Sequence, residues 1–176
     1  MELLKDRDRP IIIAGGGIGG LAAALALASR GYPTLVLEQA PEFREVGAGI
    51  QLGPNSWRCL RSIGAEAQVK RLAVFPEALV MMDAVTAEKV ISVPLHGFEN
   101  RFGAPYALIH RADLLDSLLE TCRQTPLIRL ETSRQVTSID DDGDMVRLRT
   151  KEGFEYETPA LIGADAVSNR VRPAIR

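Results

Sequence analysis

The chain predicts an α/β fold, a parallel sheet flanked by helices and joined to the first strands of a second, antiparallel sheet. Three observations point to it. The uncharged, β-branched run Ile11–Ala14 leads directly into Gly15-Gly16-Gly17-Ile18-Gly19-Gly20 and an alanine- and leucine-rich stretch. A second apolar run, Thr34–Glu38, follows a short connection and closes on a carboxylate. Short strand-like runs then recur between Ala78 and Val93 and between Leu127 and Ala164, on either side of the amphipathic stretch Ala112–Arg123.

Taken in order, Ile11–Ala14 is apolar on both faces, as a strand inside a parallel sheet must be. Gly17–Arg30 reads as a helix, with Gly31 as its stop. Thr34–Glu38 is the next strand, and a right-handed crossover sets it beside the first. Glu42–Pro54, punctuated by Gly47, Gly49, Gly53 and Pro54, reads as a loop. Asn55–Ile63 follows as a helix with Pro54 at its start and Gly64 past its end. Glu66–Leu72 adds another turn or two. Leu79–Asp83 and Lys89–Val93 form a hairpin around Thr86-Ala87-Glu88. Pro94–Pro105 reads as loop, Tyr106–Ile109 as strand. Ala112–Arg123 is a helix that turns Leu114, Leu115, Leu118 and Leu119 inward. The strands Leu127–Leu130, Gln135–Asp140, Met145–Arg149 and Glu155–Thr158 come next, with a tight turn at Asp141-Asp142-Gly143. Ala160–Ala164 is a last buried strand ending at Asp165.

Bulk properties narrow the function. The 176 residues suffice for one domain or a domain and part of another, and 46% apolar residues supply a core. The net charge is −2 with both signs dispersed, and no basic stripe argues for nucleic acid. Pro10–Ser29 is uncharged behind Lys5, Arg7 and Arg9, but its clustered glycines suit a turn rather than a membrane span. Cys59 and Cys122 lack metal-ligand spacing, which makes a reducing cytoplasm the expected setting. The chain stops soon after a fresh cluster of motif residues, Gly163–Arg170, and so reads as a fragment.

The glycine turn carries the chemistry. Gly15 permits a tight turn, Gly17 lets backbone approach a pyrophosphate, and Gly20 lets helix pack on strand. The helix N-terminus beyond offers N–H groups and a positive dipole end to phosphates. Glu38 can accept hydrogen bonds from a ribose and would repel a 2′-phosphate, which suits FAD or NAD better than NADP. Asp165 ends a strand on the edge where open α/β sheets bind ligands, although a helix cap would look the same. Arg111 stands where a strand meets a helix, within bidentate reach of a pyrophosphate or simply solvated. His96 and His110 show no partner that would make either a general base.

These stretches, with Leu37-Glu38-Gln39-Ala40, Glu45–Asn55, Tyr106–Leu115 and Leu161–Arg170, resemble the FAD-dependent aromatic hydroxylases, single-component flavoprotein monooxygenases of the salicylate and 3-hydroxybenzoate type. The run Gly47–Asn55 discriminates most, since a generic NAD-binding domain has no use for it. Arg101–Tyr106 leading into His110-Arg111 is most similar to the 3-hydroxybenzoate 6-hydroxylase branch. The resemblance implies a Rossmann-like FAD-binding domain over residues 1–77 and 106–176, with 78–105 as the start of an inserted substrate domain. It implies that Gly15, Gly17, Ile18 and Gly20 hold the FAD pyrophosphate, that Glu38 binds the adenosine ribose with Gln39 beside it, and that Ala48 and Gln51 lie near the flavin. It further places Arg111 at the pyrophosphate, Val136 at the adenine through its backbone, and Asp165 in an Asp-Gly motif serving FAD and nicotinamide. Ala166 stands where that motif has glycine. NADH as co-substrate, O2 and a small phenolic acid as reactants follow from the same resemblance, as does a catalytic base outside this stretch. Two other readings stay open: a non-catalytic nucleotide-binding fragment, and an FAD-linked oxidoreductase that inserts no oxygen. Family members are longer than this chain, so apolar surface left uncovered predicts aggregation or a homodimer.

Overall fold

A computed structural model describes residues 9–44 and 47–165. They divide into two compact units, one built from the chain up to Glu45 and again from Leu115 onward, the other from Val46 to Leu114.

The first unit is organised by a four-stranded parallel sheet. Its strands are β1 (Ile11–Ala14), β2 (Thr34–Leu37), β7 (Ile128–Glu131) and β11 (Leu161–Gly163), in the spatial order β11-β1-β2-β7. Ile12 pairs with Leu35 and Leu161, and Val36 with Ile13 and Leu130. Side chains alternate across the sheet. One face, with Ile12, Ala14, Leu35 and Leu37, packs against Val136 and Leu148. Those two come from an antiparallel sheet of β8 (Val136–Asp141), β9 (Val146–Thr150) and β10 (Glu155–Thr158). Ile13 and Val36 point to the opposite face and are fully buried. The helix α1 (Ile18–Ala28) packs along β1 and β2. Its glycines and alanines let it lie close, and Leu21, Ala24 and Leu25 are buried. Ser29 ends it and Gly31, at φ 83°, turns the chain back.

The second unit holds β3 (Gly49–Leu52), the helices α2 (Pro54–Ser62) and α3 (Glu66–Leu72), β4 (Ala78–Met82), β5 (Lys89–Pro94), α4 (Phe98–Phe102) and β6 (Ala107–His110). Strand β3 pairs antiparallel with β6, and Gln51 lies opposite Leu108. Trp57, Leu60, Val69, Leu95, Ala107 and Ile109 are buried, and Trp57 stacks on Phe75 with centroids 5.9 Å apart. The β4–β5 hairpin leaves Val80, Met81, Met82, Val90 and Ile91 more than half exposed. α5 (Arg111–Arg123) begins immediately after β6 and contributes residues to both units.

Two stretches differ from expectation. Residues 42–54 contain β3, because pairing with β6 recruits Gly49–Leu52 into a ladder despite their glycines. Residues 94–105 contain α4, a single turn too short to show a helical period, stopped by Gly103 at φ 76°. No helix among the described residues is long and apolar enough to cross a membrane.

Candidate functional site

The carboxyl ends of β1, β2 and β11 are stitched together by the backbone. Gly15 N–H donates to the Leu37 carbonyl at 2.8 Å, and Ala164 N–H to the Ala14 carbonyl at 2.7 Å. Where β1 stops, the chain reverses into α1. Gly15 makes that turn at φ 116°, a backbone conformation that side chains resist. A Cβ on Gly15 would run into the Ala164 carbonyl, and one on Gly20 into the Gly15 carbonyl oxygen. At Gly17 a Cβ would meet nothing within 4 Å. Gly15 and Gly20 therefore serve the fold itself, while Gly17 keeps open space clear.

Gly17 is also the N-cap of α1. Its backbone is extended, no side chain caps the helix, and the first turn has no acidic residue. A helix start left this way presents N–H donors and the positive dipole end to an anion.

Glu38, just past β2, crosses back over the turn. Its Oε2 accepts from Gly16 N–H at 2.7 Å and its Oε1 from Ala40 N–H at 2.8 Å. One carboxylate thus ties the glycine turn to the end of β2. It retains lone pairs for further donors, because an ionised carboxylate has about four acceptor sites. A Cβ on Gly16 would strike the Phe43 ring, which would have to move aside. The fingerprint spacing passes over Gly16; the uninterrupted run of three glycines is the only trace of it in the sequence.

These groups surround a cavity of about 170 Å³ lined by Gly15, Gly17, Glu38, Gln39, Val136 and Asp165, together with Arg134 and Gln135. Six sequence-derived candidates therefore line one cavity. Ile18 and Gly20 lie in the first turn of α1. Ala48, Gln51 and Arg111 belong to the second unit. There the Ala48 carbonyl accepts from Arg111 N–H at 3.3 Å, and the Arg111 side chain packs on Gly47. Gln51 is exposed on β3. The remainder of the terminal motif, Ala166 to Arg170, lies outside the described residues, as do Glu45 and Val46. His110 has a local partner: its Nδ1 accepts from Ala112 N–H at 3.3 Å and caps the start of α5.

Arg134 and Gln135 were not legible as site residues. Arg134 Nε donates to the Glu131 carboxylate and to the Tyr156 hydroxyl oxygen, both at 2.9 Å. Tyr156 in turn donates to Glu131 at 2.7 Å. Burial and this hydrogen bond to Glu131 push the Tyr156 phenol above its usual range.

The arrangement suits a ligand with an anionic centre and a neighbouring diol, and comparison with known proteins agrees. A model of the FAD binding domain matches residues 8–176. A 3-hydroxybenzoate 6-hydroxylase of Polaromonas naphthalenivorans is 45% identical over 166 residues, 94% of this chain and 42% of that protein. A 2-methyl-3-hydroxypyridine-5-carboxylic acid oxygenase structure superposes with a TM-score of 0.82 at 29% identity, over 96% of this chain and 42% of that one. Klebsiella pneumoniae HpxO, crystallised with FAD and uric acid, superposes with a TM-score of 0.85 at 25% identity, over 99% of this chain and 43% of that one. The chain spans about two-fifths of the length of the relatives it matches. With its glycine turn, its carboxylate and nearly every residue inside that match, the chain belongs to the FAD binding domain family.

Proposed function

We propose that this chain is the FAD-holding portion of a monooxygenase that hydroxylates a phenolic aromatic acid of the 3-hydroxybenzoate or salicylate type with NADH and O2. The observation that carries it is the cavity at the sheet edge, where an uncapped helix start, an open Gly17 and the Glu38 carboxylate face one space.

The residues divide the binding work. Gly17, with the N–H groups of Ile18 and its neighbours, seats the diphosphate. Glu38 accepts from the adenosine ribose with its remaining lone pairs while still holding Gly16 and Ala40. Gln39 lies beside Glu38, and the Val136 backbone meets the adenine. Asp165 serves FAD and the reducing nicotinamide together. Ala48 and Gln51 serve the flavin side, Arg111 serves the pyrophosphate region, and the β4–β5 hairpin begins the substrate-binding part. When bound, FAD supplies the redox and oxygen-transfer chemistry; the protein orients it and excludes water. The relatives' names support the substrate class, since 3-hydroxybenzoate and 6-hydroxynicotinate are both hydroxylated aromatic acids.

The test uses a protein carrying this sequence over the full length of its relatives. NADH consumption rises when 3-hydroxybenzoate or salicylate is added, and the product gains one oxygen atom from O2. NADH oxidation indifferent to the aromatic acid, with no oxygenated product, would overturn the reading in favour of an oxidase or reductase.

A further inference from the structure

Arg134 sits in the turn between β7 and β8, just after Ser133 at φ 54°, an uncommon conformation for a residue with a side chain. The turn is folded around its own guanidinium. Beyond Glu131 and Tyr156, Nη1 donates to the Ser133 carbonyl at 2.9 Å and, more weakly, to that of Thr132 at 3.4 Å. The guanidinium carbon lies 3.7 Å from the centre of the Phe154 ring. Phe154 and Tyr156 flank and enter β10, and neither lines the cavity.

The backbone of the same turn is zipped to the segment that carries Glu38. Arg134 N–H donates to the Glu38 carbonyl and Ser133 N–H to the Ala40 carbonyl, each at 2.9 Å. The Gln135 amide donates to the Gln39 side-chain oxygen at 3.4 Å. Arg134, Gln135 and Val136 then form one wall of the cavity. Among the described residues Arg134 is the only basic side chain lining it, in a cavity that the carboxylates Glu38 and Asp165 also line.

We propose that Arg134 is a positioning residue for the adenosine end of the cofactor site, and that its guanidinium, held by Glu131, Tyr156 and Phe154, fixes the wall formed by Gln135 and Val136. The inference rests on the FAD reading and adds to it a dependence on side chains outside the cavity. A point charge cannot replace the guanidinium, because the fork bonds a carboxylate, a phenol and a carbonyl while its plane stacks on a ring.

The test is titration calorimetry of the whole chain with FAD and with ADP, alongside thermal melts without ligand. Arg134→Lys weakens both ligands by the same factor, roughly tenfold or more, as expected for losing charge-assisted hydrogen bonds. Tyr156→Phe, which removes only a hydroxyl, weakens both several-fold at an unchanged melting temperature. The shared factor places the effect at the adenosine half, and the unchanged melting temperature of Tyr156→Phe separates it from a general loss of structure, which would weaken both ligands alike. Wild-type affinity in Arg134→Lys would reduce the role to charge and overturn the proposal. So would unchanged affinity in Tyr156→Phe, which decides the matter if the lysine variant does not fold. Failure of the unmodified chain to bind either ligand would overturn the FAD reading and this proposal together, whereas normal binding by both variants overturns the proposal alone.

Discussion

At the scale of single residues, three glycines of one turn do separable jobs, and their surroundings assign them. Gly15 needs its positive φ, and Gly20 has no room for a side chain against the Gly15 carbonyl. Gly17 has both room and an ordinary φ of −72°, so the fold does not require it to be glycine. Gly20→Ala is therefore expected to cost about 1–3 kcal/mol of stability through overpacking. Gly17→Ala should cost no more than about 1 kcal/mol, the usual range for an N-cap change, yet lose on the order of tenfold in FAD affinity. Thermal melts and FAD titration of both variants check this; a Gly17→Ala chain with normal affinity would remove the diphosphate from that turn. The structural roles of Gly15 and Gly20 were legible because spacing alone encodes them. The grip of Glu38 on Gly16 and Ala40 was not, since a carboxylate offered to a ribose and one already holding two backbone donors look alike in sequence.

At the scale of elements, strongly periodic segments were legible and elements made by pairing were not. The buried runs of β1 and β2 and the leucine face of α5 announce themselves, whereas β3 exists through its ladder with β6. The Arg134 turn belongs with β3, for its partners arrive from Glu131 and from the distant Phe154 and Tyr156. α5 carries a consequence of its packing. Cys122 is fully buried, its thiol donates to the Leu21 carbonyl of α1 at 3.6 Å, and burial pushes its pKa up to about 12. The folded state then holds a proton that the unfolded chain releases near the ordinary thiol value of 9.0. That contribution is complete below the unfolded value and is lost as pH rises from there toward the folded one. Urea midpoints should accordingly fall between about pH 8 and about pH 10.5, and Cys122→Ala should fall less steeply. Parallel slopes for the two proteins would show that the thiol is not held protonated.

At the scale of the whole molecule, the described residues form two compact units whose chain path crosses between them near Glu45 and within α5. The family was legible because two unlike signals coexist in one chain: the glycine turn with its carboxylate, and the run Gly47–Asn55. The first alone would have left NAD and FAD equally plausible. Six of the candidate residues line one cavity, which makes binding of an adenine dinucleotide there the central claim. Direct titration of the chain with FAD tests it, read by flavin fluorescence and repeated with Glu38→Gln. An amide cannot accept from both Gly16 and Ala40 with two oxygens as the carboxylate does, and it offers the ribose a donor where an acceptor is needed. The expected result is saturable, one-to-one binding that ADP displaces and that Glu38→Gln weakens roughly tenfold or more. Absence of saturable binding, or binding indifferent to Glu38→Gln, would contradict the account.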